Sequence, residues 1–347
     1  MTLTQTAILT KHILTLTIMT IVLAILSYTG YQIWHSYYIA HLPIVEEKPD
    51  TKFGPLPSLD FPRSSVSSSN FNYSIDTSTG NLPKIGIDPG FEKNIKVYFV
   101  INPVATLLSS EKSQALAEKF GITTSPEILN DTNYRFSNQG KNLNVNLDSG
   151  NFAYTKIATT SAKQQFDDDT KLVSDFQHTL LTLGVFKQDL TGRNKVVYLK
   201  NDNGNFTPTA LKSNADAAQI SLWPQSLDGK PIYTIDYNKS LVNAVVTQSA
   251  NNIENYLSLN FTYFPVDTTF ATYPLKTSDA AFEDLRSGKG VVVITPNKPQ
   301  VSITSTSLGY YMPEIYSPYL QPIFVFEGPN FAAYVPALRE QIPLPTR

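Results

Sequence analysis

The chain has 347 residues, no cysteine, a formal net charge of −2 and only 16% charged residues. The missing thiols exclude disulfides, cysteine nucleophiles, Cys-ligated zinc and iron–sulfur clusters. No long run of basic residues offers a footprint for nucleic acid, whose phosphate backbone demands a clustered positive surface. At roughly 150 residues per domain, the length predicts two globular units plus accessory segments.

After a short cytoplasmic N-terminus (1–12), Ile13 to Trp34 contains no Asp, Glu, Lys, Arg or His. As a helix this run spans roughly 33 Å, the thickness of a bilayer's hydrocarbon core. Its threonines (Thr15, Thr17, Thr20, Thr29) are tolerable in lipid because a helical Thr hydroxyl bonds a carbonyl one turn back. Trp34, Tyr37 and Tyr38 stand where an interfacial aromatic belt belongs. Lys11 precedes the span, and Glu46, Glu47 and Lys48 follow it. The positive-inside bias therefore puts the N-terminus in the cytoplasm and the rest outside. A cleaved signal peptide is the alternative, but the apolar run continues too far and no small-residue site follows Leu26.

Residues 35–70 read as a stalk, the alternative being that Phe53-Gly54-Pro55-Leu56-Pro57 packs onto the first domain. Pro43, Pro49, Pro55, Pro57 and Pro62 extend the chain, and the run Ser64–Ser69 keeps it solvated. From Phe71 the pattern changes to short strands and turns. Ile75–Leu82, Leu147–Phe152 and Asn201–Phe206 each carry Gly-Asn-apolar after polar turn formers, with Asn203-Gly204 a type I′ signal. Asp228-Gly229 predicts a further hairpin joining Ile220–Leu227 to Lys230–Tyr237. Helices are expected at Glu111–Phe120, Ala162–Leu183 and Asp279–Ser287, each stopped by a glycine suited to the left-handed C′ position. The long one opens on a possible capping box, Ser161-Ala162-Lys163-Gln164. Phe166, Val173, Phe176, Leu180 and Leu183 give it one apolar face. The short one needs a sheet to hold it, through Ala280, Phe282 and Leu285. Later strands are expected at Leu241–Ser249, Leu257–Phe264, Val291–Thr295, Val301–Tyr311 and Ile323–Val335. The class is α+β: an N-terminal transmembrane helix, then two β-rich domains of antiparallel sheet (71–214 and 215–338), each with one or two packed helices, and a tail at 339–347.

Candidate chemistry is sparse. His178, three residues after Asp175, makes a dyad conceivable, but it falls off the apolar stripe and reads as a solvated position. Ser109-Ser110-Glu111-Lys112 matches Ser-x-x-Lys without its partner motifs and reads better as a helix cap. Asp167, Asp168 and Asp169 would diverge by about 100° each on a helix, which suits the N-terminal dipole rather than calcium. No metal or cofactor site is expected.

The stretch Tyr273–Gly290, followed by Leu308-Gly309-Tyr310-Tyr311 and Leu320–Gly328, resembles the C-terminal domain of YycI/YycH-type extracytoplasmic regulatory proteins and, more distantly, PepSY-like modules. The resemblance covers about Thr272 to Leu338. It implies an anchored, two-domain extracytoplasmic body that restrains a membrane sensor protein. The tyrosine-rich hairpins and the proline stalk depart from that pattern.

The leading expectation is thus a single-pass bacterial cell-envelope protein with no enzymatic activity, binding a membrane sensor protein or an envelope peptide. The loop Met312–Gln321, stiffened by proline, would present Tyr310, Tyr311, Tyr316 and Tyr319 as partner contacts; equally, these tyrosines would cover the sheet edge of their own domain. The rivals are a hydrolase built on scattered carboxylates such as Asp236, Asp267 and Glu327, and a glycan-binding surface protein.

Overall fold

The computed structural model describes residues 3–40, 48–59, 61–62, 66–157 and 166–339. They fall into two compact units, residues 1–48 and 49–347.

In the first unit, helix α1 (Leu3–Ala40) is the one helix among the described residues long and apolar enough to cross a membrane, over Leu16–Tyr38. The span begins and ends slightly later than Ile13–Trp34. Its large apolar side chains from Leu14 to Tyr38 are exposed. Thr20 Oγ1 donates to the Leu16 carbonyl at 2.9 Å and Thr29 Oγ1 to that of Ile25 at 3.0 Å, so the hydroxyls are satisfied within the helix. Trp34 stacks on Tyr38 with ring centroids 5.6 Å apart.

The second unit is α+β, with its elements in this chain order. First come β1 (Asn72–Ile75), β2 (Asn94–Val100), α2 (Ser109–Lys119), β3 (Glu127–Asn130), β4 (Asn133–Asn138), β5 (Lys141–Asn146) and β6 (Phe152–Lys156). Next are α3 (Asp169–Leu183), β7 (Asn194–Asp202), β8 (Asn205–Pro208), β9 (Ala217–Leu222), β10 (Ile232–Tyr233), β11 (Val242–Val246) and β12 (Tyr256–Phe261). Last are β13 (Val266–Pro274), α4 (Ser278–Arg286), β14 (Val291–Ile294), β15 (Gln300–Ile303), β16 (Ser305–Tyr311), β17 (Tyr319–Gly328) and β18 (Phe331–Pro336).

A nine-stranded antiparallel sheet runs in the order β3-β4-β5-β6-β12-β11-β9-β7-β8. Period-two alternation decides its faces. In β5, Leu143 and Val145 point into the core while Asn142 and Asn144 point to solvent. The apolar face is covered by α2 and α3, which bring Leu116, Phe120, Leu172, Phe176 and Leu180 onto Phe136, Leu143, Tyr154, Ile220 and Leu259. Helix α3 starts later than expected. Phe166 is buried but precedes the helix, and the Asp168 carboxylate caps it by accepting the Lys171 N–H at 2.7 Å. The proposed box Ser161–Gln164 lies outside the described residues.

The second sheet has seven strands, with β10-β16-β17-β18-β14 as its main path and β2 and β13 attached through β17. Helix α4 lies on it through Ala281, Phe282 and Leu285. Ala280, expected among these contacts, is exposed instead. Two pairings are parallel, β1 with β15 and β10 with β16.

The two sheets do not divide at Asn214. β9, β11 and β12 belong to the same sheet as β3–β8, whereas β1 and β2 join the C-terminal strands. β2 pairs with β13, so the nine-stranded layer is inserted between two neighbours of the other sheet. The Asp228-Gly229 turn forms, with φ of 49° and 71°, but it closes only a single bridge between Leu227 and Lys230. The strands beside it then part, β9 into one sheet and β10 into the other.

The expected stalk is also different. Residues from Pro49 onward pack onto the body. Phe53 and Leu56 join Val97, Ala271 and Tyr273, while Leu59 and Phe61 join Tyr311 and Tyr334. Tyr273 donates to the Gly54 carbonyl at 2.8 Å, and Gln321 Nε2 to that of Pro57 at 2.9 Å. Ser68 is fully buried and donates to the Leu285 carbonyl at 2.7 Å.

Candidate functional site

An open cleft of about 550 Å³ lies in the second unit. Four pieces of chain build it. One is the loop Pro103–Thr106 with the first turns of α2. Another is the turn between β5 and β6, at Asn146–Gly150. The third is the end of α3 with Val185 and Lys187, and the fourth is Phe261–Pro265 between β12 and β13. Each is held by local backbone chemistry. The Asn146 carboxamide accepts the Ser149 N–H at 2.9 Å and its hydroxyl at 2.8 Å, folding the turn on itself, and Gly150 takes the φ of 70° that closes it. α3 ends at Gly184 in the left-handed conformation, and Lys119 donates to the Thr182 and Leu183 carbonyls at 3.1 and 3.0 Å. A cation at a helix C-terminus is favoured by the dipole and fills orphan acceptors.

The floor is apolar, made by Leu116, Val145, Leu147, Leu183 and Phe261, all buried. Most polar groups on the walls are spent on each other. Ser109 Oγ accepts the Thr106 N–H, Ser113 donates to the Ser110 carbonyl, and Asp148 accepts the Ala105 N–H at 3.0 Å. Tyr263 donates to Asp189 at 2.8 Å; burial, then that carboxylate, raise its pKa and keep the phenol neutral. The uncommitted groups are the Lys112 and Lys187 ammoniums. Among the described residues neither has a carboxylate within ion-pair distance, and Lys187 lies 5.8 Å from the centre of the Tyr263 ring. A second hollow of about 360 Å³ shares Pro103, Asn146, Asp148 and Ser149 and extends to Glu314 and Tyr316.

Of the expected partner contacts, Tyr310 and Tyr311 are buried. Tyr310 meets Tyr98 edge-on and donates to the Lys96 carbonyl, and Tyr311 packs edge-on against Phe61. They are core residues because β16 is an inner strand covered on both faces. Tyr316 and Tyr319 are half-buried. Tyr316 donates to the Val100 carbonyl at 3.0 Å and borders the second hollow, while Tyr319 stacks near Phe53 at 5.1 Å. None of the four lines the cleft, and only Tyr316 reaches the second hollow beside it.

The other sequence candidates do not converge. His178 is exposed, and Asp175 pairs with Lys171 at 2.7 Å instead. Ser109 is the first residue of α2 rather than a side-chain cap. Asp168 caps α3, and Asp169 accepts the Tyr198 hydroxyl. Asp236 accepts the Asn238 N–H, Asp267 the Thr268 N–H, and Glu327 the Tyr237 hydroxyl, each in a separate neighbourhood. Of the cleft residues, Val104 and Lys187 were not singled out by sequence, and Lys112 only as the lysine of the Ser109-Ser110-Glu111-Lys112 match. The available signal was the apolar spacing Ile101, Val104, Leu107 and Leu108 in a segment with no partner periodicity.

No protein-family model matches the chain, and no curated protein matches it. Among solved structures, an uncharacterized protein from Eubacterium rectale aligns over 78% of this chain and 91% of its own, at 13% identity and a TM-score of 0.40. A likeness at that level carries no argument about activity. These comparisons do not bear on the YycI-type resemblance.

Proposed function

We propose a membrane-anchored binding protein of the cell envelope, with its body on the extracytoplasmic side and the cleft between α2, α3 and Phe261–Pro265 as its binding site. The observation that carries this reading is the cleft itself: a preformed concavity with an apolar floor, its hydroxyls and amides spent internally, and two free ammoniums at its rim. Such sites use few polar groups to orient a ligand and apolar surface to hold it. The apolar helix α1 supports the anchor, and Lys11 before it supports the orientation. Restraint of a membrane sensor protein or capture of an envelope peptide is the part of the reading that rests on the YycI-type resemblance.

A photo-reactive amino acid placed at Val104 or Lys187 in intact cells tests the site. Adducts, whether protein or lipid, are expected at these positions and not at Asn142, which is exposed on the far face of the nine-stranded sheet. Equal labelling at all three positions contradicts the assignment.

A further inference from the structure

The loop that leads into α2 is unusual for a surface segment. Ile101, Val104, Leu107 and Leu108 are all exposed, Val104 at 72% and Leu107 completely, and Ile315 on the neighbouring loop is 82% exposed. Pro103, Val104, Thr106 and Ser109 from this segment line the cleft, so Val104 stands at its mouth and Leu107 and Leu108 lie between lining residues of the same segment. Large apolar side chains exposed together on one short segment mark an interaction surface. Immediately behind it sit Lys112, Lys119 and Lys187, against the single carboxylate Asp148 among the lining residues. Apolar tips in front of a cationic rim complement a surface that is anionic outside and hydrocarbon beneath.

A peptide is a poorer match. Extended peptides gain affinity by pairing with a free strand edge. The strands that reach the cleft offer none, because β5, β6 and β12 are each paired on both sides. The lining hydroxyls and amides are bonded to their own chain, which leaves charge and apolar area as the recognition chemistry. The same polypeptide carries a helix suited to crossing a bilayer, so a lipid surface is always within its covalent reach.

We infer that this loop and cleft dock on anionic membrane lipid. Leu107 and Leu108 enter the headgroup–acyl boundary, and Lys112 and Lys187 hold a headgroup phosphate at the cleft's rim. The inference rests on the cleft being the binding site, and it names the ligand class.

The native chain has no cysteine, so Leu107→Cys gives a unique labelling position. Full-length protein carrying a small fluorophore there is placed in phosphatidylcholine bilayer discs, with or without phosphatidylglycerol, using brominated acyl chains as quenchers. Quenching is expected in the discs containing phosphatidylglycerol and to be weaker without it. The same label at Asn142→Cys is expected to stay unquenched in both. Lys112→Glu with Lys187→Glu is expected to lower docking roughly fivefold or more per lysine, from about 1 kcal/mol for each basic residue near an anionic surface. Lys200→Glu, remote from the cleft, leaves docking unchanged. The lipid dependence at position 107 tests the idea even if the double-lysine variant fails to fold. Quenching that is absent, or indifferent to phosphatidylglycerol, overturns the inference. Cross-links from Val104 to a polypeptide without lipid quenching would assign the cleft to a protein ligand, which leaves the binding reading standing and removes this one.

Discussion

The segment before Phe71 gives the sharpest stability test. Replacing Phe53, Leu56, Leu59 and Phe61 together by alanine removes four half-buried apolar side chains from two core clusters. Full burial of such a side chain is worth about 1.5–3 kcal/mol, so half-burial of four gives roughly 3–6 kcal/mol. Area-based values are upper estimates, because the unfolded chain already buries some surface. Even the lower figure is a large share of the ~5–15 kcal/mol that separates folded from unfolded domains. The acceptors of the Tyr273 and Gln321 hydrogen bonds, the Gly54 and Pro57 carbonyls, are not among the replaced residues, so the change acts on packing. The assay is urea unfolding of the full-length protein in mild detergent, followed through Trp223, which is 1% exposed beneath Arg193. A clearly lower midpoint is expected, with Ser58→Ala, an exposed position in the same segment, as the neutral control. A midpoint that does not move would show that 49–62 is a tether and that its packing contributes nothing.

Phe176→Ala, at a fully buried position of α3, is expected to cost about 3–5 kcal/mol, and His178→Ala less than about 0.5, measured by the same unfolding curve. Gly328→Ala is expected to destabilise by about 1–3 kcal/mol, because its Cβ would come within 2.1 Å of the Ser302 carbonyl oxygen; a wild-type melting temperature would contradict the β15–β17 approach. Hydrogen bonds and charge from Lys141 and then Lys156 hold the Glu254 carboxyl below the usual glutamate range. Its stabilisation is therefore complete above the unfolded value of about 4.3 and disappears as pH falls through the lower folded value. Glu254→Gln is expected to flatten stability over that window, and an unchanged acid limb would remove Glu254 from the account.

What was legible in the sequence was local. Phe176, Leu180 and Leu183 recur at helical spacing and lie in the core as that spacing requires. Gly121, Gly184 and Gly288 follow their helices with positive φ, as their position after an apolar period suggested. The errors arise where a local signal has a distant destination. Asp228-Gly229 makes its turn, yet β10 pairs with β16, far along the chain, and turn chemistry cannot encode that choice. Tyr310 and Tyr311 follow each other on a strand buried on both faces, so no alternation distinguishes inside from outside. The proline-rich composition of 49–62 imitates a solvated stalk; the Phe53–Pro57 motif offered packing as the alternative, but Leu59 and Phe61 lack the periodicity that would have revealed theirs. The cleft was invisible for a related reason: its lining residues run from Pro103 to Pro265, and no motif contains them.

That scatter follows from the topology. The nine-stranded layer is inserted between β2 and β13, so the chain leaves the seven-stranded sheet after Val100 and finally rejoins it before Val266, touching it in between only through β10. The first exit and the final return lie side by side, joined by the Ile101 N–H donating to the Pro265 carbonyl at 2.9 Å. Neither can continue a strand there, because each must turn out of its own sheet, and Pro103 and Pro265 interrupt backbone pairing on the two paths. A gap at the rim of the inserted layer results, walled by the nearest helix start, helix end and hairpin turn. Those walls are the cleft: Pro103 and Val104 come from the outgoing crossing, Tyr263 and Pro265 from the returning one. The concavity is thus a consequence of how the two sheets are connected, and the exposed residues Val104, Lys112 and Lys187 on its rim contribute little to the core beneath. Under the proposed reading, these exposed apolar and cationic side chains are the ones that would contact the ligand.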